Sequence, residues 1–207
     1  MLTLSLTCTG IAAVANWRTR IWPNTTLQSI SKPVTTVLVM WVALAAGGPH
    51  TATVLAEIGL VFCLVGDIAL LDVIDRFIVG LAAFLIGHVV FIAMFVTLHL
   101  RHPALGVIAA PLLALHGCTI GRRIVIGATG KDSALKIPVI AYLVVITTMA
   151  VVAVMTGRWW AIAGAGAFVL SDTLLGWRAF VSERRWMALA VMVTYHSALV
   201  GLALSLR

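Results

Sequence analysis

Two aspartates lie inside segments of this chain that are otherwise apolar enough to span a lipid bilayer. Asp67 ends the apolar residues 59–67, and Asp172 ends the apolar residues 168–172. Because a carboxylate in hydrocarbon costs about 2.5–3.5 kcal/mol on insertion scales, each aspartate needs a partner, a hydrated cavity or a chemical role. A bond to a neighbouring helix would make either of them structural. Two carboxylates in different environments would instead divide the roles of general acid and general base.

Further polar residues occupy apolar segments and are candidates for the same site. His88 is either a packed core histidine or a group that orients a carboxylate and relays a proton. Tyr195 and His196 are adjacent, so on a helix they point about 100° apart and cannot both face one point squarely. Ser171 precedes Asp172, and it either bonds its own helix backbone or contacts a substrate.

Composition places the chain among helical membrane proteins. Of its 207 residues, 62% are hydrophobic and 10% are charged, whereas soluble domains average about 45–50% apolar and about 25% charged residues. No period-two alternation indicates a β-barrel, so a helical bundle is the remaining spanning structure. The sequence predicts an all-α polytopic bundle of about eight helices, forming a single domain over residues 1–207. The expected spans, most of them near the roughly 20 residues that cross a bilayer, are 2–17, 34–46, 52–72, 77–98, 104–120, 137–156, 159–177 and 186–206. The short span 34–46 would gain a turn if it included residues 29–33.

Neither a cleaved leader nor a cofactor is expected. The first residues carry no basic region, which favours a retained first helix over residues 2–17. The cysteines Cys8, Cys63 and Cys118 fall one per expected span without paired spacing. This spacing argues against disulfides, haem attachment and a zinc knuckle, and no metal site is predicted.

The net charge of +7 follows the predicted topology and does not indicate a nucleic-acid partner. With eight spans, most of the 14 basic residues fall in the loops after the first, third, fifth and seventh span, namely Arg18, Arg20, Lys32, Arg76, Arg122, Arg123, Lys131, Lys136, Arg178, Arg184 and Arg185. The positive-inside rule places these loops in the cytoplasm and both termini on the non-cytoplasmic side of the plasma membrane. The two aspartates, His88, Tyr195 and His196 then share the cytoplasmic half of the bilayer, with Lys32 at its surface. One polar cavity open to the inner leaflet is therefore expected.

Polar and glycine positions between about residues 30 and 200 also resemble the YhhN family, whose characterised members are lysoplasmalogenases. The matching positions include Lys32, Pro33, Gly59, Gly66, Asp67, His88, Tyr142, Gly164, Ser171, Asp172 and Tyr195. The resemblance implies a membrane hydrolase that cleaves the vinyl ether of a lysoplasmalogen to a fatty aldehyde and a glycerophospho-alcohol. Where the family commonly has a tyrosine and a glutamine in its last helix, this chain has His196 and Leu199, so a different lipid substrate stays open.

The implied reaction gives each candidate residue a role. The two aspartates would serve as acid and base, and the sequence does not distinguish which is which. A histidine would orient a carboxylate, a tyrosine would bond the developing charge, and basic residues would hold the substrate phosphate. The predicted catalytic residues are Asp67, Asp172, His88 and Tyr195, and the predicted substrate-binding residues are Lys32, Ser171, His196 and Arg178.

Two other functions stay open. A metal-dependent lipid hydrolase would use Asp67, His88, Asp172 and His196 as ligands, although the chain has no three-histidine zinc pattern. A proton-coupled carrier or a lipid-binding protein also buries aspartate and histidine in a bundle, although no repeat between the two halves indicates an inverted-repeat carrier. The expected partner is a membrane lipid or lysophospholipid, and the sequence does not predict an oligomeric state.

Overall fold

A computed structural model describes all 207 residues of the chain, which form a bundle of helices without β-strands. Seven of the long helices are long and apolar enough to cross a membrane. The predicted all-α class with about eight helices is therefore confirmed. The helices are α1 (Leu2–Ile21), α2 (Thr25–Ala46), α3 (His50–Ala69), α4 (Phe77–Thr97), α5 (Pro103–Lys131), α6 (Lys136–Met155), α7 (Trp159–Phe180) and α8 (Arg185–Leu204).

Helix α1 is the long helix that does not have the apolarity of a membrane span. Its buried face is largely polar, and the residues that form it are Ser5, Thr9, Ala13, Asn16 and Thr19. The Asn16 side-chain amide donates a hydrogen bond to Ser31 Oγ on α2 at 3.1 Å. The helix packs against α2 and α8. Its buried hydroxyls, on Ser5, Thr9 and Thr19, donate to backbone carbonyls of α1 itself.

Helix α2 begins at Thr25, well before the expected start at residue 34. Asn24 caps it, because its side-chain oxygen accepts a hydrogen bond from the backbone N–H of Leu27 at 2.8 Å. Pro33 lies inside the helix without ending it. Lys32 therefore lies within α2, where it is buried, and the expectation that it would lie in a loop at the membrane surface was wrong.

Helix α5 is longer than the expected span 104–120 and continues to Lys131. A π-helical stretch, Gly117–Gly121, joins its two halves. Arg122 and Arg123 accordingly lie on a helix and not in a loop. The extension is held because its buried Ile124 and Ala128, one turn apart, pack with Val139 of α6.

Close helix pairs are built on small residues. Helices α3 and α4, α7 and α8, and α1 and α2 form the most extensive contacts, while α5 lies outside the others against α6 and α7. Gly164 of α7 and Gly201 of α8 let two backbones touch, because a Cβ at Gly164 would lie 2.7 Å from the backbone nitrogen of Leu202. Gly66 of α3 likewise leaves room for the ring of Phe84 on α4. These contacts fix the spacing of the helices that carry the two aspartates.

Each end of the bundle gathers residues from several helices. At one end, a common cavity is lined by Arg20 in the last turn of α1, Asp72 after α3 and Arg178 of α7. At the other end, Arg158 donates to the carbonyl of Ser205 at 3.0 Å, and the backbone N–H of His102 donates to the carbonyl of Met155. The first of these ends is the one that the positive-inside rule predicts to face the cytoplasm.

Candidate functional site

Asp67 occupies the last turn of α3 and is completely buried. Its Oδ2 accepts hydrogen bonds from the hydroxyl of Tyr195 on α8 at 2.8 Å and from the hydroxyl of Thr36 on α2 at 2.5 Å. Lys32 Nζ lies 3.5 Å from Oδ1 and donates to the backbone carbonyl of Asp67 at 3.2 Å. The carboxylate thus has a buried cation and two hydroxyl donors, which favour its charged form.

Asp172 of α7 has a different set of partners. Its Oδ2 accepts a hydrogen bond from the hydroxyl of Tyr142 on α6 at 2.5 Å, and His88 Nε2 of α4 lies 3.8 Å away. No lysine or arginine forms an ion pair with it. Its side chain is 12% exposed, whereas that of Asp67 is 0% exposed. Asp172 is therefore the more accessible aspartate and has no permanent cationic partner.

Aromatic rings connect the two aspartate sites. The His88 ring packs edge-on against Phe168 and Tyr142, with centroid distances of 4.4 and 5.3 Å. The Tyr195 ring packs edge-on against Phe168 and Phe84 at 5.7 and 5.8 Å. Because such edge-to-face contacts hold rings in defined orientations, this cluster positions both tyrosine hydroxyls toward their aspartates.

A polar cavity of about 80 Å³ lies beside both aspartates. That volume accommodates several water molecules, since one water needs about 10–15 Å³ by this measure. Most of the predicted site residues line it, as do two charged residues that sequence reasoning did not propose. The charged and hydroxyl-bearing lining residues are Arg20, Lys32, Asp67, Asp72, Ser171, Asp172, Arg178 and Tyr195.

A second, apolar cavity of about 50 Å³ adjoins the polar one. It lies among α4, α5, α6 and α7 and is lined mainly by aliphatic and aromatic side chains. The residues that line both cavities are Leu70, Phe84, Asp172 and Leu175. Asp172 is thus the ionisable residue at the junction of a polar and an apolar compartment.

The predicted substrate-binding residues have different surroundings. Lys32 is buried and paired with Asp67 instead of lying at the cavity entrance. Ser171 Oγ donates to the carbonyl of Val191 on α8 at 3.2 Å, so it joins two helices and does not bond its own. Arg178 lines the polar cavity and pairs with exposed Glu183, its Nε donating to Oε1 at 2.6 Å.

His196 does not line the cavity of the two aspartates. Its Nδ1 accepts a hydrogen bond from Trp17 Nε1 of α1 at 3.0 Å, and the two rings stack. It lines a separate groove with Trp17 and Trp160. The 100° angle between adjacent helical residues explains this placement, because Tyr195 takes the position that faces Asp67.

Tyr142 was matched in the sequence but not proposed for the site. The chain has only two tyrosines, and each donates a hydrogen bond to one of the two aspartates. This scarcity was a usable signal, since a tyrosine in an apolar span needs a partner for its hydroxyl. Thr36 also carried a signal, because it lies four residues after Lys32 and so shares its helix face.

The two aspartates and two histidines do not form a metal site. No three or more histidine, cysteine, aspartate and glutamate side chains are grouped closely enough to bind an ion. His196 contacts Trp17 and Tyr195 and lines a different cavity from Asp172. The metal-dependent alternative therefore has no ligand set among these residues.

The comparison with known proteins identifies a family for this chain. The sequence matches the model of the YhhN family over residues 27–206, which include both aspartates, the helices α3 to α8 and all but the first two residues of α2. No curated protein and no solved structure is significantly similar to the chain. Because the family match extends over most of its length, the chain belongs to the YhhN family.

Proposed function

We propose that this protein is a membrane-embedded lipid hydrolase that cleaves the vinyl ether of a lysoplasmalogen, releasing a fatty aldehyde and a glycerophospho-alcohol. Membership of the YhhN family supports the proposal. The observation that carries it is the position of Asp172 at the junction of the apolar and polar cavities. A lipid with its chain in one cavity and its headgroup in the other would present its ether bond to this residue.

The partners of the two aspartates support a division of roles between them. Lys32 and the hydroxyls of Thr36 and Tyr195 stabilise a negative charge on Asp67. Asp172 has one hydroxyl donor and no cation, in a largely apolar environment. We therefore assign Asp67 as the general base and Asp172 as the general acid.

The reaction would begin when Asp172 donates its proton to the outer alkenyl carbon, which leaves an oxocarbenium ion on the carbon bonded to oxygen. A water in the polar cavity adds to that carbon, and its proton passes through the Tyr195 hydroxyl to Asp67. The resulting hemiacetal loses its hydroxyl proton to Asp172, while the proton on Asp67 passes to the glycerol oxygen. Aldehyde and alcohol then separate, and both aspartates regain their starting states. Each proton transfer is general acid–base catalysis of the usual kind.

The two cavities also favour a single-chain lipid. The apolar cavity is small, about 50 Å³, and has lining residues from four helices, so its volume favours one hydrocarbon chain over the two chains of a diacyl lipid. The ordinary role of such an apolar lining is to hold the chain, while the few polar groups orient the bond that reacts. His88, 3.8 Å from Asp172, would orient the acid.

The first test measures aldehyde release from an alkenyl lysophospholipid by the purified protein. Asp67→Asn and Asp172→Asn are each expected to lower the rate about 10²–10⁴-fold, because each removes one acid–base group. Asp75→Asn is the matched control, since Asp75 is exposed, lines neither cavity and has a positive φ that asparagine tolerates. Full activity in both Asp67→Asn and Asp172→Asn would contradict the proposal.

The same proteins also test the carrier alternative. Reconstituted in liposomes, a carrier would move protons in response to a lipid substrate without forming aldehyde. A hydrolase would form aldehyde in detergent, where no gradient exists. Proton flux without product from folded wild-type protein would replace the proposed hydrolase with a carrier.

A further inference from the structure

Arg20, near the C-terminal end of α1, is a cation of the polar cavity with an unused hydrogen-bond donor. It lines that cavity but forms no ion pair with any carboxylate. Its Nε is buried and has no hydrogen-bond partner. An unpaired guanidinium at a partly buried position is unfavourable unless a ligand supplies the missing acceptors.

The other two cations of the cavity are already engaged. Lys32 pairs with Asp67 deep in the bundle, and Arg178 directs two nitrogens at Glu183. Asp72 and Asp67 are the acidic groups that act on Arg20 electrostatically, yet neither lies within ion-pair distance. Arg20 is therefore the cation of this cavity with free donors.

A guanidinium has five N–H donors in a planar fork that matches the oxygens of a phosphate group. Arg20 belongs to the same cavity as Asp172, on its polar side. The phosphate of a lipid headgroup would accept hydrogen bonds from this guanidinium. The hydrocarbon chain of the same lipid could then enter the apolar cavity.

We infer that Arg20 binds the phosphate of the lipid headgroup, so that α1 forms the headgroup-binding side of the polar cavity. The inference rests on the proposed function in placing a lipid across the two cavities. It replaces Lys32 as the predicted phosphate ligand, because Lys32 is paired with Asp67. Arg20 also lies before the residues matched by the family model, 27–206, so the assignment belongs to this chain and not to the matched region.

The test is a binding titration with a lipid that the proposed reaction cannot cleave, 1-O-alkyl-glycero-3-phosphoethanolamine. Arg20→Gln is expected to raise its Kd about ten- to hundredfold, the loss typical of hydrogen bonds to a charged group. Arg18→Gln is the matched control, because Arg18 is exposed on the same helix and does not line the cavity. It removes the same charge and is expected to leave the Kd unchanged.

Two further ligands separate the possible sources of the phosphate. A 1-O-alkylglycerol, which lacks phosphate, is expected to bind the wild type and Arg20→Gln equally. Inorganic phosphate is expected to bind only weakly, because it has no chain for the apolar cavity. Arg20-dependent binding of inorganic phosphate without Arg20-dependent binding of the lipid would overturn the headgroup assignment.

Equal Kd values of wild type and Arg20→Gln for the phospholipid would also overturn the inference. If Arg20→Gln fails to fold, Arg20→Lys takes its place, since lysine keeps the charge but loses the planar fork and should weaken phospholipid binding several-fold. The titration uses no vinyl ether. A protein that binds the lipid through Arg20 without cleaving a lysoplasmalogen would therefore refute the hydrolase and leave this inference standing.

Discussion

At the scale of single residues, the two aspartates differ in the groups that contact them. Asp67 has a lysine and two hydroxyls around it, and Asp172 has one hydroxyl and a distant histidine. Carboxylates with such different partners hold protons with different strength, which is how one fold performs acid and base chemistry together. The buried ion pair of Lys32 and Asp67 should then both stabilise the fold and keep Asp67 charged for the proposed mechanism.

Removing the cation of that pair should destabilise the protein strongly. Lys32→Met leaves the Asp67 carboxylate without its cation at a position that is 0% exposed, and breaking such a buried pair typically costs about 3–5 kcal/mol of unfolding free energy. The measurement is equilibrium unfolding in detergent. Adding Asp67→Asn to Lys32→Met is expected to restore most of the loss, because no uncompensated charge then remains.

Lys136→Met is the control for this experiment. Lys136 is exposed at the start of α6 and forms no ion pair, so its replacement should change the unfolding free energy by no more than about 0.5 kcal/mol. If Lys32→Met and Lys136→Met had equal stability, the ion pair would contribute nothing and the charge assignment of Asp67 would lose its support.

At the scale of helices, the contact of α7 with α8 sets the distance between the two halves of the site. Helix α7 carries Asp172, and α8 carries Tyr195, which bonds Asp67. The backbones touch where Gly164 meets Gly201, about two helical turns along from Asp172 and Tyr195. A larger residue at the contact would separate the helices and widen the site.

Gly164→Ala should therefore lower both stability and turnover. The new Cβ would meet backbone atoms of Gly201 and Leu202, which cannot move aside as a flexible side chain can, and overpacking of this kind costs about 1–3 kcal/mol. Thermal unfolding and aldehyde release are the measurements. Gly166→Ala, on the same helix with nothing within 4 Å of the new Cβ, is expected to be neutral or slightly stabilising, since alanine favours helix over glycine by about 1 kcal/mol. Equal effects of the two changes would show that the helix contact does not set the site.

Helix α5 borders the apolar cavity with an irregular segment. His116 directly precedes the π-helical Gly117–Gly121, lines the apolar cavity, and its Nε2 lies 3.0 Å from Thr173 Oγ1 of α7. The extra residue per turn in a π-helix changes which side chains face inward. This irregularity is what allows one continuous helix to border the cavity with His116 and also to pack Ile124 against α6.

At the scale of the whole molecule, the site lies near one end of the bundle, and the orientation of that end decides which leaflet supplies the lipid. The charged residues of the polar cavity, Arg20, Asp72 and Arg178 among them, are at the end rich in basic residues. The positive-inside rule predicts that this end faces the cytoplasm and that the C-terminus lies on the opposite side. The cavity would then receive lipids from the inner leaflet.

Fusions to alkaline phosphatase and to green fluorescent protein test this orientation in a bacterial host. A phosphatase joined after Arg207 should be active, because that enzyme folds outside the cytoplasm, and a fluorescent protein at the same point should stay dark. After Asp132, between α5 and α6, the two results should be reversed. Fluorescence at Arg207 with phosphatase activity at Asp132 would invert the topology and move the proposed site to the outer leaflet.

The sequence by itself determined the class of the protein and most of the residues that meet in its site. Hydropathy and charge are properties of each residue along the chain, so the helical spans, the buried aspartates and the distribution of basic residues can be read without coordinates. The shared lining of the polar cavity by Asp67, Asp172 and Tyr195 agrees with the depths expected from helix rise alone. The predicted start of α2 and the predicted length of α5 were wrong, because a cap at Asn24 and packing against α6 outweigh local hydropathy.

Only the tertiary structure decided which polar group bonds which. Depth along a helix does not specify its rotation, so the sequence could not tell that Tyr195 faces Asp67 while His196 turns toward Trp17. It could not show that Tyr142 bonds Asp172. Nor could it show that Lys32 forms an ion pair with Asp67 whereas Arg20 Nε has no hydrogen-bond partner. These pairings depend on contacts between helices far apart in the chain, and the small residues at their interfaces allow several packings that hydropathy alone does not distinguish.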